Sequence, residues 1–211
     1  MKYSDELMGL KGRKVNIARV ISRLTPAPVI NLFVGAIISY TSPIGLGPIL
    51  NPITSLIICV ILMVILPVTP IIFEAWRGKV DLDISDQDKR AKFFLFALVC
   101  YVIASIVYWT LECEVMLVLA LSYFTVTSSV MFATFHSKVS VHVAGVSGPG
   151  TALLIIYDSL ASLVIILWLL VIWARLTLKQ HSVKEVLFGL FLGICITIMT
   201  YVVFYTRFSA L

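Results

Sequence analysis

Residues 53–73 contain no charged side chain. An apolar stretch of that length fits a helix crossing the hydrocarbon of a bilayer, which takes about 20 residues. Further apolar runs cover residues 28–40, 93–111, 151–173 and 182–205, and one more runs from the turn at Glu112, Cys113 and Glu114 to His136. Pro67 and Pro70 are expected to bend the 53–73 helix. With 60% of the chain hydrophobic and 13% charged, and a mean hydropathy of +1.05, this is an integral membrane protein and not a soluble core. The 211 residues leave room for one all-α bundle of six to seven membrane helices and no separate soluble domain. Cys59, Cys100, Cys113 and Cys195 lie in or beside apolar segments without CxxC spacing, so they read as buried free thiols. Residues 1–24 are polar and basic, unlike a signal peptide. They place Leu7, Leu10, Ile17, Ile21 and Leu24 at helical spacing, which predicts an amphipathic arm, residues 1–25, lying at the membrane interface.

Topology turns on residues 151–173. The run is long enough for one crossing, yet Asp158 sits inside it, and an aspartate at that depth costs about 2.5–3.5 kcal/mol on insertion scales. Splitting the run there predicts a hairpin of two short helices, with the Gly/Pro/Ser stretch before it as a loop. The arm and the loops at 74–92, 137–149 and 174–185 then share one face. That face carries all of the 16 Lys and Arg residues but Arg207, and the positive-inside rule assigns it to the cytoplasm.

The same face collects the chemistry. Arg175, His181 and Glu185 lie between two apolar runs. A helix beginning near His181 puts His181 and Glu185 on one face, so that the carboxylate holds one imidazole nitrogen and leaves the other free to attack. Arg175 offers a planar fork for phosphate. Upstream, His142 stands beside a glycine-rich stretch, Gly145 to Gly150, suited to phosphate binding by backbone N–H groups, and is placed to protonate a leaving oxygen. Two histidines and two arginines on one face are the parts for phosphoryl transfer through a phosphohistidine. His136 reads as an interfacial helix end. Asp81, Asp83, Asp86 and Asp88 read as a solvated loop pairing with the basic arm. Gly189 and Gly193, on the face of Glu185, are expected to allow close helix packing.

The order and spacing of these residues resemble the type 2 phosphatidic acid phosphatase and vanadium haloperoxidase superfamily, whose motifs are K-x6-R-P, P-S-G-H and S-R-x5-H-x3-D. Ala174-Arg175, His181 and Glu185 keep the third motif with Ala for Ser and Glu for Asp. Val139-Ser140-Val141-His142 keeps the serine and histidine of the second, and Asp83-x6-Arg90-Ala91 keeps only the arginine of the first. The chain looks most like a divergent archaeal-type membrane branch, over about residues 76–193. The resemblance implies His181 as nucleophile oriented by Glu185, and His142 as general acid. Arg90 and Arg175 would bind phosphoryl oxygens, with Ser140 completing the cradle. Asp83 stands where the family has its lysine, a role open to Lys79, Lys89 or Lys138.

The reading is therefore a multi-pass plasma-membrane protein whose residues 26–211 form one phosphatase-like domain with a cytoplasmic active face. It would hydrolyse a lipid phosphate or polyprenyl diphosphate without metal or other cofactor, among membrane lipids and with no nucleic-acid partner. The alternatives are a Mg²⁺-dependent prenyl or alcohol phosphotransferase using the 81–88 acidic loop, and an inactive relative.

Overall fold

The computed structural model describes residues 3–7, 9–84, 86 and 89–208, with side chains described only as far as Tyr205 at the C-terminal end; Asp88 and the side chain of Arg207 lie outside the described residues. A short α1 (Ser4–Leu7) leads to α2 (Arg13–Leu24) and α3 (Ala27–Thr41). The chain bends by 53° between α2 and α3, where Pro26 and Pro28 withhold the N–H groups that would continue the first helix. After a loop with Gly45 and Gly47 at positive φ, Asn51 and Thr54 form a reciprocal capping box at the start of α4 (Pro52–Cys59). A π turn at Val60–Ile65 carries α4 into α5 (Leu66–Trp76). Pro67 cannot donate to the Met63 carbonyl four residues back, and Asn31 of α3, buried, donates its amide to that oxygen at 3.2 Å instead. The disturbance expected from Pro67 and Pro70 thus takes the form of a widened turn whose freed carbonyl finds a partner across the bundle.

Helices α6 (Arg90–Thr110) and α7 (Glu114–His136) form an antiparallel pair turning at Glu112, which adopts φ 54°. Helix α8 (Val141–Tyr157) ends at Asp158, also at positive φ, and a 3₁₀ turn (Asp158–Ala161) leads to α9 (Leu163–Thr177) and then α10 (Val183–Phe208). The break falls where the aspartate predicts it. Gly150 of α8 packs on Trp168 of α9, and the start of α8 meets the end of α9 at Ser22, so the two run antiparallel. The predicted loop over the Gly/Pro/Ser stretch is corrected: Gly145, Ser147, Gly148, Pro149 and Gly150 are helical. Glycine weakens an isolated helix but lets helices approach closely inside a bundle. A Cβ on Gly193 of α10 would stand 2.0 Å from Ser147 Oγ and 2.9 Å from the Ala144 carbonyl.

Among the described residues, five helices are long and apolar enough to cross a membrane, or six if the bent α2–α3 pair makes one span. The six to seven predicted overlaps this count at six; α3 and α9 have 15 residues each, about 22 Å of helix against roughly 30 Å of hydrocarbon. Ser122 and Thr125 of α7 bond Thr197 and Thr200 of α10 at 3.2 and 2.7 Å, holding the centre of the bundle together. The α2–α3 bend, residues 81–84, Arg90, residues 137–140 and residues 175–185 gather at one end, joined by the contacts described next. The 42–51 loop, the Glu112 turn and Tyr157, whose hydroxyl bonds Thr41 at 2.9 Å, lie at the other.

Candidate active site

Arg175 occupies the last turn of α9, on the face that buries Val171, Ala174 and Leu178. Its Nη1 donates to Ser22 Oγ at 2.9 Å and to Asp83 Oδ1 at 3.3 Å. The ion pair is buried, with side chains 4% and 7% exposed. Asp83 is therefore not part of a solvated acidic loop. Its own loop turns inward: Asp81 Oδ1 accepts from the Asp83 N–H at 2.9 Å, and Ile84 takes φ 47°, a conformation costly for a β-branched residue. That turn aims the Ile84 carbonyl at Arg90, whose Nε donates to it at 2.7 Å. Arg90 is buried at the start of α6, and its Nη1 reaches the Val139 carbonyl at 3.5 Å.

From Arg175 the chain turns back through Lys179, at φ 52°, and enters α10. The Glu185 N–H donates to Ser182 Oγ at 3.4 Å, and Glu185 stands in the first helical turn, where the dipole favours an anion. His181 Nδ1 lies 2.8 Å from Glu185 Oε2, and the imidazole is 4% exposed. A carboxylate accepts, so Nδ1 carries the proton and Nε2 keeps its lone pair. Burial, aided by the charges of Arg175 and Lys138, holds the His181 pKa below the ordinary range despite the opposing pull of Glu185, which leaves the ring neutral at pH 7 and nucleophilic.

The segment at 139–142 meets the one at 175–185 through the backbone. The Ser140 N–H donates to the Glu185 carbonyl at 3.2 Å, and Gly189, one turn on, packs directly against Ser140. Ser140 opens α8 and its Oγ is buried without a hydrogen-bond partner, as is Arg175 Nε. His142, in the first turn of α8, shares Nε2 with the Ser22 carbonyl at 3.2 Å. Lys138 Nζ donates to the Gln180 carbonyl at 3.1 Å.

The predicted residues thus fall into one cluster: Arg90, Lys138, Ser140, His142, Arg175, His181 and Glu185. Lys89 does not join it; half-exposed, it pairs with Asp86 at 3.2 Å. Lys79 pairs with Glu74 on the surface, so of these three lysines only Lys138 joins the cluster. His136 stays at the exposed end of α7. Ser22 was missed by sequence reasoning. Its signal was the small pair Ala18 and Ser22 four residues apart, a narrow face amid bulky apolar residues. A cavity of about 500 Å³ lies at the opposite end, between Pro48, Trp109, Glu112 and Tyr205, and shares no residue with the cluster.

This arrangement supplies an imidazole held by a carboxylate, a second histidine, and buried donors without acceptors. A buried unsatisfied donor costs about 1–3 kcal/mol, more when charged, and a tetrahedral oxyanion offers the acceptors that Arg175 Nε and Ser140 Oγ lack. No protein-family model, curated protein or solved structure matches the chain.

Proposed function

We propose that this protein is a membrane phosphatase that hydrolyses a lipid phosphate or polyprenyl diphosphate through a phosphohistidine, as a divergent relative of the type 2 phosphatidic acid phosphatases. The observation that carries the reading is the His181–Glu185 pair at 2.8 Å, beside a buried Arg175 whose Nε has no protein acceptor. The lipid tail lies between helices while its headgroup enters the cluster from the cytoplasmic face of the plasma membrane. The arm lies along the interface, with Lys11, Arg13, Lys14, Ile17, Val20 and Leu24 exposed.

His181 Nε2 attacks phosphorus, forming a P–N bond as the bond to the lipid oxygen breaks. Arg175 and Arg90 stabilise the charge on the phosphoryl oxygens. His142 donates a proton to the departing oxygen. Because its Nε2–H is given to the Ser22 carbonyl, the proton it donates is a second one, taken up from solvent on Nδ1 as the phosphate dianion binds, and its loss returns the ring to the neutral form. Water then gives a proton back to Nδ1 and attacks, breaking the P–N bond and releasing phosphate. The acidic loop is a poorer base for the Mg²⁺-dependent alternative, since Asp83 is already committed to Arg175.

The test is phosphate release from phosphatidic acid and from a polyprenyl diphosphate in EDTA, with acid-labile, alkali-stable phosphoenzyme trapped in parallel. Turnover in EDTA with label on His181 supports the reading. Transfer that requires Mg²⁺ favours the phosphotransferase, and no turnover with either substrate favours the inactive relative.

A further inference from the structure

Helix α2 has two faces. Ile17, Val20 and Leu24 point outward, while Ala18 and Ser22, four residues apart, are buried. Ala18 joins Ala174 and Leu178 of the α9 segment in one buried cluster, and this packing brings Ser22 to the site. There one residue serves two others. Its hydroxyl accepts from Arg175 Nη1 at 2.9 Å, and its backbone oxygen accepts from His142 Nε2 at 3.2 Å.

The sequence explains why that carbonyl is available. Within a continuing helix it would accept from the N–H four residues on, but that residue is Pro26, which has none. Thr25 instead closes the turn onto Ile21, through both its N–H and its Oγ1. The Ser22 oxygen is thus left for His142, and since a carbonyl can only accept, it fixes the proton on Nε2. The α2–α3 junction is held against this part of α8: a Cβ on Gly145, one turn after His142, would come within 2.8 Å of Ala27 Cβ.

Arg175 is held by one corner. Nη1 goes to both Ser22 and Asp83, whereas Nε is buried without a partner and Nη2 makes no hydrogen bond among the described residues. The Nε–Nη2 edge is one of the two on which a guanidinium receives an oxyanion in bidentate fashion. Building on the phosphatase reading, we propose that Ser22 and Asp83 are positioning residues: together they anchor Nη1 so that the Nε–Nη2 edge faces the phosphoryl oxygens, while the Ser22 carbonyl sets the His142 ring. Helix α2 is then a working part of the site as well as an interfacial arm, and the division at residue 25 does not separate an anchor from a catalytic unit. Asp83 acts through Arg175 and not on phosphate.

The experiment uses the full-length protein in nanodiscs, with inorganic phosphate as the probe by calorimetry and kcat/KM for a lipid phosphate measured beside it. Ser22→Ala removes the hydroxyl and leaves the carbonyl. Phosphate affinity and kcat/KM are expected to fall about tenfold, the effect of one lost hydrogen bond to a charged group; the same lost bond lowers the thermal midpoint, so both are measured well below it. Ser22→Thr, which keeps the hydroxyl, restores both. Asp83→Ala provides a test of sign. If Asp83 were merely a negative charge near the ligand, removing it would tighten phosphate binding; positioning requires that binding weaken. Ser22→Ala binding phosphate as the wild type does, or Asp83→Ala binding it more tightly, overturns the inference while leaving the phosphatase reading in place. A wild-type protein that neither binds phosphate nor hydrolyses lipid phosphates sinks the phosphatase reading, and the positioning roles fall with it. If Asp83→Ala does not fold, the Ser22 pair decides.

Discussion

Gly189→Ala links packing to chemistry in one atom. A Cβ there would stand 2.6 Å from the Ser140 carbonyl oxygen, against 3.4 Å for ordinary contact. Both groups belong to helix starts, so no side-chain rotation relieves the clash, and α10 must retreat from α8 by about 0.8 Å. That retreat takes the Ser140 N–H to Glu185 carbonyl bond, now 3.2 Å, past the limit of a hydrogen bond. Overpacking of this kind costs about 1–3 kcal/mol, and the lost backbone bond adds about 0.5–1.5 kcal/mol. The thermal midpoint should drop by several degrees. The catalytic effect should be larger: His181 and Glu185 ride on α10 while Ser140 and His142 ride on α8, and a displacement near 1 Å costs on the order of 10²-fold in rate. Leu187→Ala, on the exposed face of the same helix, serves as the control and should change neither quantity appreciably. Scanning calorimetry and initial rates on the three proteins suffice. Wild-type midpoint and wild-type turnover in Gly189→Ala would refute the packing argument and the coupling drawn from it.

His181→Ala should abolish turnover and phosphoenzyme alike. His142→Ala should leave an enzyme slower by about 10²–10⁴-fold that still accumulates the label, with a deficit that shrinks for substrates bearing better leaving groups; equal loss for every leaving group would remove His142 from the acid role. On the proposed mechanism the neutral imidazole of His181 attacks, and burial holds its pKa down, so activity should be lost as pH falls through a value below the ordinary 6.5 or so. Glu185→Gln removes a charge that raises that pKa, so the acid limb of its pH–rate profile should move to lower pH as the maximum rate falls; movement to higher pH contradicts the assignment. Lys89→Ala removes an exposed pair with Asp86, worth at most about 1 kcal/mol, and should leave turnover within about twofold by direct assay.

Local chemistry was legible in the sequence where partners are close along the chain. Apolar runs marked the helices, Asp158 marked the break, and the four-residue spacing of His181 and Glu185 anticipated their contact because a helix start brings such residues together. Prediction failed where distant segments decide. The stretch from Ala144 to Gly150 reads as a loop by propensity, yet packing against α10 makes its small residues an asset. Asp83 reads as solvated because aspartate usually is; its burial depends on Arg175, 92 residues away. Ser22 lies 153 residues from Arg175, and no local pattern joins the two. The bend at Pro26 was the nearest clue, since a proline there frees a carbonyl four residues back without saying what will take it.

The two buried arginines divide their labour according to what each has already spent. Arg90 gives Nε to the Ile84 carbonyl and Nη1 to the Val139 carbonyl, so it ties the 81–84 turn to the segment that opens α8 and adds mainly charge to the site. Arg175 is met by a carboxylate and a hydroxyl at one corner alone. Removing one partner from a buried ion pair is costly, about 3–5 kcal/mol, because the remaining charge is stranded in a poorly solvated place. Asp83 therefore answers a problem that a lysine at the same position would aggravate: without it, Arg175 would sit buried with only the carboxylates of Asp5 and Asp81 acting on it whenever the site held no phosphate. A carboxylate bound to Nη1 offsets that cost and, by taking only that corner, leaves Nε and Nη2 for an oxyanion. On this view the acidic substitution at residue 83 is compatible with a phosphate site, provided that the carboxylate stays behind the guanidinium and Lys138, beside His181, supplies the remaining positive charge.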